Sequence, residues 1–161
     1  MCSSDLFVSL IAEDTEGKFV KKNLLDYGIE LFAYREENRP TTLKESYDVN
    51  GSRLLKIDRL SNRPISEEIS EKIINYLKKI QHSLIIFSDF RHGLFNSVSI
   101  RKFLDSIDFN TCVLSADSQV ASRWGNILDF AGANIVTPNE KEARFSLGDQ
   151  DSSIRSLGER L

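Results

Sequence analysis

The chain has 161 residues, with 21 basic and 24 acidic side chains, a net charge of -3 and 40% hydrophobic residues. That is enough for one domain with a real core, and the near-even charge balance excludes a nucleic-acid arm or a disordered tail. Cys2 and Cys112 are too few and too scattered for a disulfide framework or a zinc site. No apolar run approaches the roughly 20 residues of a membrane helix, and the first residues carry neither a basic flank nor a small-residue cleavage site. The expectation is a cytoplasmic protein with no membrane and no nucleic-acid partner.

In chain order, "DLFVSLIAED" reads as a strand ending in acids. In "TEGKFVKKNLLDYG", Phe19, Val20, Leu24 and Tyr27 recur at helical spacing, with Gly28 as the stop. "IELFAY" is the next strand. Thr41 to Asp58 reads as a hairpin, because Asn50-Gly51 tolerates the positive φ angles of a two-residue type I′ turn. Its polar alternation makes it an excursion from the main sheet, a flap or lid. Ser66 caps a helix whose Ile69, Ile73, Leu77 and Ile80 share a face, with Glu67 and Glu68 at the positive end of its dipole.

"HSLIIFSD" is too short and too apolar for anything but a buried strand. A helix over Ser97 to Ser106, the strand "TCVLSAD", a helix over Ala121 to Phe130, the strand "ANIVTP" and a helix from Asn139 to Leu147, stopped by Gly148, follow in turn. "DSSIRSLGERL" reads as the start of one more helix. Alternating strands and helices with near-continuous apolar strands predict an α/β fold: a three-layer parallel sheet with helices on both faces, plus the hairpin.

The eight glycines include no G-x-G-x-x-G and no phosphate-binding G-x-x-x-x-G-K-[ST], and there is no H-E-x-x-H and no G-x-S-x-G. A dinucleotide site, a P-loop, a zinc protease and a serine triad are all disfavoured. Open parallel sheets bind ligands beyond the carboxyl ends of their strands. Those ends carry Glu13 and Asp14, "SDFRHG" from Ser88 to Gly93, "ADSQ" from Ala116 to Gln119, and "TPNEKE" from Thr137 to Glu142. Each has a bland reading beside the functional one. Asp14 fits a helix N-cap, Lys44 a solvated charge on an edge strand, His92 a loop residue, and Asn139 with Glu142 a capping box.

The set in this order resembles the ribokinase-like, PfkB-type sugar kinases, and within them the kinase half of the ADP-heptose synthases. The matching residues are Asp14 and Gly17 in "EDTEG", Thr41-Thr42 with Lys44 in "RPTTLKE", "LLKIDR", Ser88-Asp89 with Gly93, and Asn139 with Glu142 as N-x-x-E. The resemblance implies transfer of the ATP γ-phosphate to a sugar or sugar phosphate, heptose 7-phosphate first among them. Thr42, Lys44 and Asp89 would contact substrate, Asp117 and Asn139 the nucleotide phosphates, and Asn139 and Glu142 a Mg²⁺ ion, through water. It also allows two copies to meet through the lid.

His92 stands where the family's turn has Lys, and Ser118-Gln119 where the heptose kinases have Pro-Lys. The family's N-terminal glycine pair and its later G-A-G-D motif, which supplies the anion hole and the catalytic Asp, have no counterpart here. The expectation is therefore a single, truncated kinase-like domain, the middle portion of a longer enzyme. No catalytic base lies within it, ATP and Mg²⁺ belong to the parent, and this chain alone is inactive. The alternative from another class is a non-catalytic α/β module kept for association.

Overall fold

The computed structural model describes residues 5–119 and 126–161. They divide into two compact units, Met1–Ile69 and Ser70–Leu161.

In the first unit, β1 (Leu6–Leu10) and β2 (Glu30–Tyr34) pair in parallel, with Leu6 opposite Glu30 and Leu10 opposite Tyr34. The crossover between them is α1 (Thr15–Asp26), capped by Asp14 at its start and followed by Gly28 at φ 70°. The apolar positions of α1 repeat as expected, yet Phe19 is 67% exposed, Leu25 75% and Tyr27 80%, and the helix's one buried residue is Gly17. The period made the helix legible, but it did not say whether the face would be covered.

The hairpin forms where Asn50-Gly51 requires it. Strands β3 (Leu43–Val49) and β4 (Ser52–Arg59) run antiparallel from Leu43 opposite Arg59 to Val49 opposite Ser52, with an irregularity between Tyr47 and Asp48. Asn50 and Gly51 have φ of 50° and 78°, the sign a type I′ turn needs at both central positions. The pair is a two-stranded sheet of its own, and every residue of β4 is exposed. Helix α2 (Glu67–Leu77) follows, with Ser66 Oγ accepting the Ile69 N–H and with Ile69 and Ile73 buried.

In the second unit, β5 (Leu84–Asp89), β6 (Val113–Ser118) and β7 (Ile135–Val136) form a parallel sheet in that spatial order. Alternation splits their side chains between two faces. On one face Phe87, Leu114 and Ala116 are buried with Ile100, Phe103 and Leu104 of α3 (Ser97–Leu104) and with Phe130. Phe87, Phe95, Phe103 and Phe130 meet with ring centroids 5.2–6.2 Å apart, in tilted or edge-on arrangements that favour aromatic pairs. On the other face Leu84, Ile86, Val113 and Ile135 are 43–64% exposed.

The expected helix from Ala121 to Phe130 is not borne out over its second half. Residues 121–125 lie outside the described residues, and Ile127–Phe130 is a single 3-10 turn started by Asn126, whose side chain accepts the Leu128 N–H. Four residues set between an Asx cap and Gly132, at φ 99°, leave no length for an α-helix. Helix α4 (Glu140–Leu147) ends on Gly148 in the left-handed region, and the short α5 (Ile154–Gly158) is capped by Ser153.

Replacing Gly51 by Val should cost the hairpin about 1–3 kcal/mol, because a β-branched residue resists positive φ. Amide exchange across the β3–β4 ladder should accelerate while the Ser70–Leu161 unit is unaffected. Unchanged ladder protection would show that the turn does not set the register.

Candidate functional site

The sequence places its candidate residues at the carboxyl ends of strands, and the structure provides two such corners, one in each unit. In the first unit the chain leaves β1 and meets Asp14. Asp14 Oδ1 accepts the Gly17 N–H at 2.8 Å, which caps α1, and Oδ2 accepts the Thr41 N–H at 2.8 Å. Thr41 Oγ1 in turn accepts the Ala12 N–H at 2.9 Å, and Thr41 is 7% exposed. One carboxylate thus joins the end of β1, the start of α1 and the stem of the hairpin.

Gly17 explains itself here. A Cβ at that position would lie 2.0 Å from the Ala12 carbonyl oxygen and 2.9 Å from Thr41 Oγ1, so the D-x-x-G spacing is a steric requirement of the corner. Burial would raise the Asp14 pKa, but the hydrogen bonds from Thr41 and Gly17 outweigh it and hold the group below its ordinary value. An open cleft beside this corner is lined by Glu13, Asp14, Arg35, Glu36 and Arg39, among others. Thr42 and Lys44 are exposed, at the hairpin's base and on β3.

In the second unit Asp89, the last residue of β5, is 1% exposed. Its Oδ1 accepts the Arg91 N–H at 2.7 Å and its Oδ2 accepts from Ser118 Oγ at 2.8 Å, across to the end of β6. Arg91, at φ 55°, turns its side chain inward to 7% exposure. Nε stands 2.7 Å from Asp89 Oδ2, close as an ion pair but without hydrogen-bond alignment, while Nη2 reaches Asp129 at 2.9 Å. Burial dominates the Asp89 pKa and raises it, against the Arg91 amide, the Arg91 charge and Ser118. Both carboxylate oxygens of Asp89, the expected substrate contact, are engaged within the unit, where they brace the turn after β5.

At the ends of β6 and β7, Asp117 and Thr137 are brought together, Thr137 Oγ1 donating to Asp117 Oδ1 at 3.0 Å. Asn139 and Glu142 share the first turn of α4 and form a reciprocal capping box. Asn139 Oδ1 accepts the Glu142 N–H at 3.0 Å, and Glu142 Oε2 accepts the Asn139 N–H at 2.9 Å. Asp117 and Asn139 are exposed and Glu142 half-buried. Among the described residues no cluster of three or more His, Cys, Asp or Glu side chains is placed to hold a metal. Sequence reasoning missed Arg91, Asp129 and Thr137 as partners; only the T-P-N spelling hinted at Thr137.

The parallel βα order, the hairpin after the second strand and the strand-to-helix corners together decide the comparison with known proteins. The fold is that of the ribokinase-like kinases. The chain superposes on ribokinase from Giardia lamblia with a TM-score of 0.70 at 16% identity, covering 96% of this chain and 48% of that one. Escherichia coli phosphofructokinase-2 gives 0.73 at 10% identity, covering 99% and 52%. In sequence the chain is similar to the bifunctional protein HldE of Helicobacter hepaticus, 26% identical over 162 residues, and to that of Paramagnetospirillum magneticum, 26% over 163 residues. These alignments take in 96% of this chain, and the chain spans about a third of the HldE relatives (33% and 32%) and about half of the ribokinase-like structures. No protein-family model matches it. Among the described residues no helix is long and apolar enough to cross a membrane.

Two outcomes test the first corner. Gly17→Ala should destabilise the chain by about 1–3 kcal/mol in urea titration, the scale of an overpacked contact against backbone; a neutral change would mean that the corner is loose. The second concerns pH. Folding lowers the Asp14 pKa, so the folded chain binds fewer protons than the unfolded one. Its stabilisation is complete above the ordinary Asp value of about 4 and is lost as pH falls through the folded value. The wild-type advantage over Asp14→Asn, about 1 kcal/mol at neutral pH on the scale of a helix cap, should therefore shrink towards pH 3. An advantage constant from neutral to acid pH would contradict a role for the charge.

Proposed function

We propose that this chain is the middle portion of a cytoplasmic PfkB-type sugar kinase that transfers the ATP γ-phosphate to a sugar or sugar phosphate, heptose 7-phosphate being the first candidate. The observation that carries the reading is the Asn139–Glu142 pair, set where a parallel strand turns into a helix, in a chain whose fold matches ribokinase-like kinases over nearly its whole length. The exposed apolar faces of α1 and of the three-stranded sheet are consistent with packing against further parts of a larger kinase fold. A single domain with the hairpin as its lid is part of this proposal.

Phosphoryl transfer is mostly positioning and charge neutralisation. Mg²⁺ needs few protein ligands, because it keeps several waters and takes the remainder from carboxylates and substrate phosphates. A corner with one acidic side chain and one amide fits that demand. Glu142, with Asn139, would hold the ion through water, and when bound it would neutralise phosphate charge. Asp117, beside Thr137, and Asn139 would face the nucleotide phosphates, while Thr42 and Lys44 would meet the sugar. Asp89, which also holds the "SDFRHG" turn in shape, would meet the sugar from the end of β5. We place no general base in the chain.

A second reading has its own observation. Tyr47, Val49, Leu54, Leu55 and Ile57 are 40–69% exposed on the hairpin, an apolar surface that suits association of two copies with or without catalysis.

In a protein that includes the rest of the kinase, Glu142→Gln is the decisive change, since Gln can still accept the Asn139 N–H but lacks the charge. Stability should alter by well under about 1 kcal/mol, the scale of a lost cap, while the Mg²⁺ concentration for half-maximal rate rises clearly. An unchanged Mg²⁺ dependence with a lower melting point would reduce the pair to its capping box. The 161-residue chain alone should show no sugar-dependent ADP release; turnover would refute its inactivity.

A further inference from the structure

The hairpin's two stems are interlocked by charged side chains that no motif singled out. The incoming stem turns at Glu36–Arg39, where the Arg39 N–H bonds to the Glu36 carbonyl and Asn38 adopts φ 58°. Arg39 is 8% exposed, although arginine is among the residues least often buried. Its guanidinium donates to the carbonyl of Ser61 at 3.0 Å, to that of Arg63, and to Glu36 Oε2 at 2.7 Å. Glu36 completes the loop, its Oε1 accepting the Ser66 N–H at 2.7 Å. Arg63 answers from the returning stem, donating to the carbonyls of Glu37 and Asn38 at 3.3 and 3.2 Å, but it is exposed and contributes less.

The chemistry suits one residue type. Three backbone carbonyls, that of Pro64 at 3.4 Å being the third, and a carboxylate need several donors fixed in one plane, which a guanidinium has and an ammonium lacks. A guanidinium with so little solvent access depends on those partners for its stability. With Thr41 tied to Asp14 on one side and Ser61 to Ser66 tied to Arg39 and Glu36 on the other, only Thr42 and Leu60 separate the anchored stems from the first ladder pair, Leu43 with Arg59.

We propose that Arg39 is the positioning residue of the hairpin, clasping its two stems so that the ladder stands on a fixed base. The functional half of this rests on the reading of Thr42 and Lys44 as substrate contacts; the structural half does not. A clasp of this kind sets where those two side chains can reach while touching no substrate itself.

The test uses the 161-residue chain and Arg39→Lys, which keeps the charge and removes the fork. Hydrogen exchange should be roughly tenfold faster at the Ser66 amide, as expected for a locally opened segment, with the β3–β4 ladder and the Ser70–Leu161 unit unchanged. Unaltered exchange at Ser66 overturns the proposal, and so does equal acceleration throughout the chain, which would make Arg39 a general support of the fold. If Arg39→Lys does not fold, Glu36→Gln is read at Ser66 by the same criteria. In a longer, active protein Arg39→Lys should raise the KM for sugar several-fold more than it lowers kcat; unchanged KM would remove the substrate half. Absence of turnover in the wild-type longer protein would defeat the kinase reading and leave the exchange result standing.

Discussion

Both oxygens of Asp14 are committed, one to the amide that opens α1 and one to the amide that begins the hairpin, and the first unit depends on that division. The carboxylate can serve both only if α1 begins directly beneath the end of β1. The start lies so close that residue 17 has no room for a side chain. Thr41 closes the arrangement by turning its hydroxyl to the Ala12 amide. Three backbone amides from three segments are satisfied in one place, so strand, helix and hairpin stem have fixed relative positions before any apolar packing is counted.

The second unit meets the same demand with an ion pair in place of a cap. Asp89 closes β5 inside the protein, where an unpaired carboxylate would be costly, and Ser118 and the inward-turned Arg91 supply what water cannot. Arg91 then carries the connection to Asp129 on the 3-10 turn, next to the phenylalanine cluster. The resemblance leads one to look for a cation at residue 92; the geometry puts a buried one at residue 91, facing inward.

Local chemistry was legible in the sequence wherever one or two residues decide a conformation. Asn50-Gly51 announced its turn because positive φ excludes most alternatives, Gly148 announced the end of α4, and Asn139 with Glu142 announced a capped helix start. Relations across long separations were not legible. Arg39 finds Ser61 22 residues away, and Asp89 finds Ser118 29 residues away, with no periodicity to advertise either. Helical spacing in α1 signalled a helix but left open whether Phe19 and Tyr27 would be covered. The candidate site was legible as a set of strand ends. That Asp89 would be sealed while Asp117 stays exposed depended on which face of the sheet each occupies, a matter of one residue in register.

On the proposed function, these corners belong to a protein that binds ATP·Mg²⁺ and a phosphorylated sugar. The most direct measurement is the melting midpoint of the longest protein containing this chain, taken against ATP with and without Mg²⁺ and against a panel of phosphorylated sugars, because only a ligand that prefers the folded state raises it. The expected result is a rise with ATP that requires Mg²⁺, and a further rise with one sugar phosphate. No rise with any combination at saturating concentration would contradict the claim and favour an α/β module kept for association.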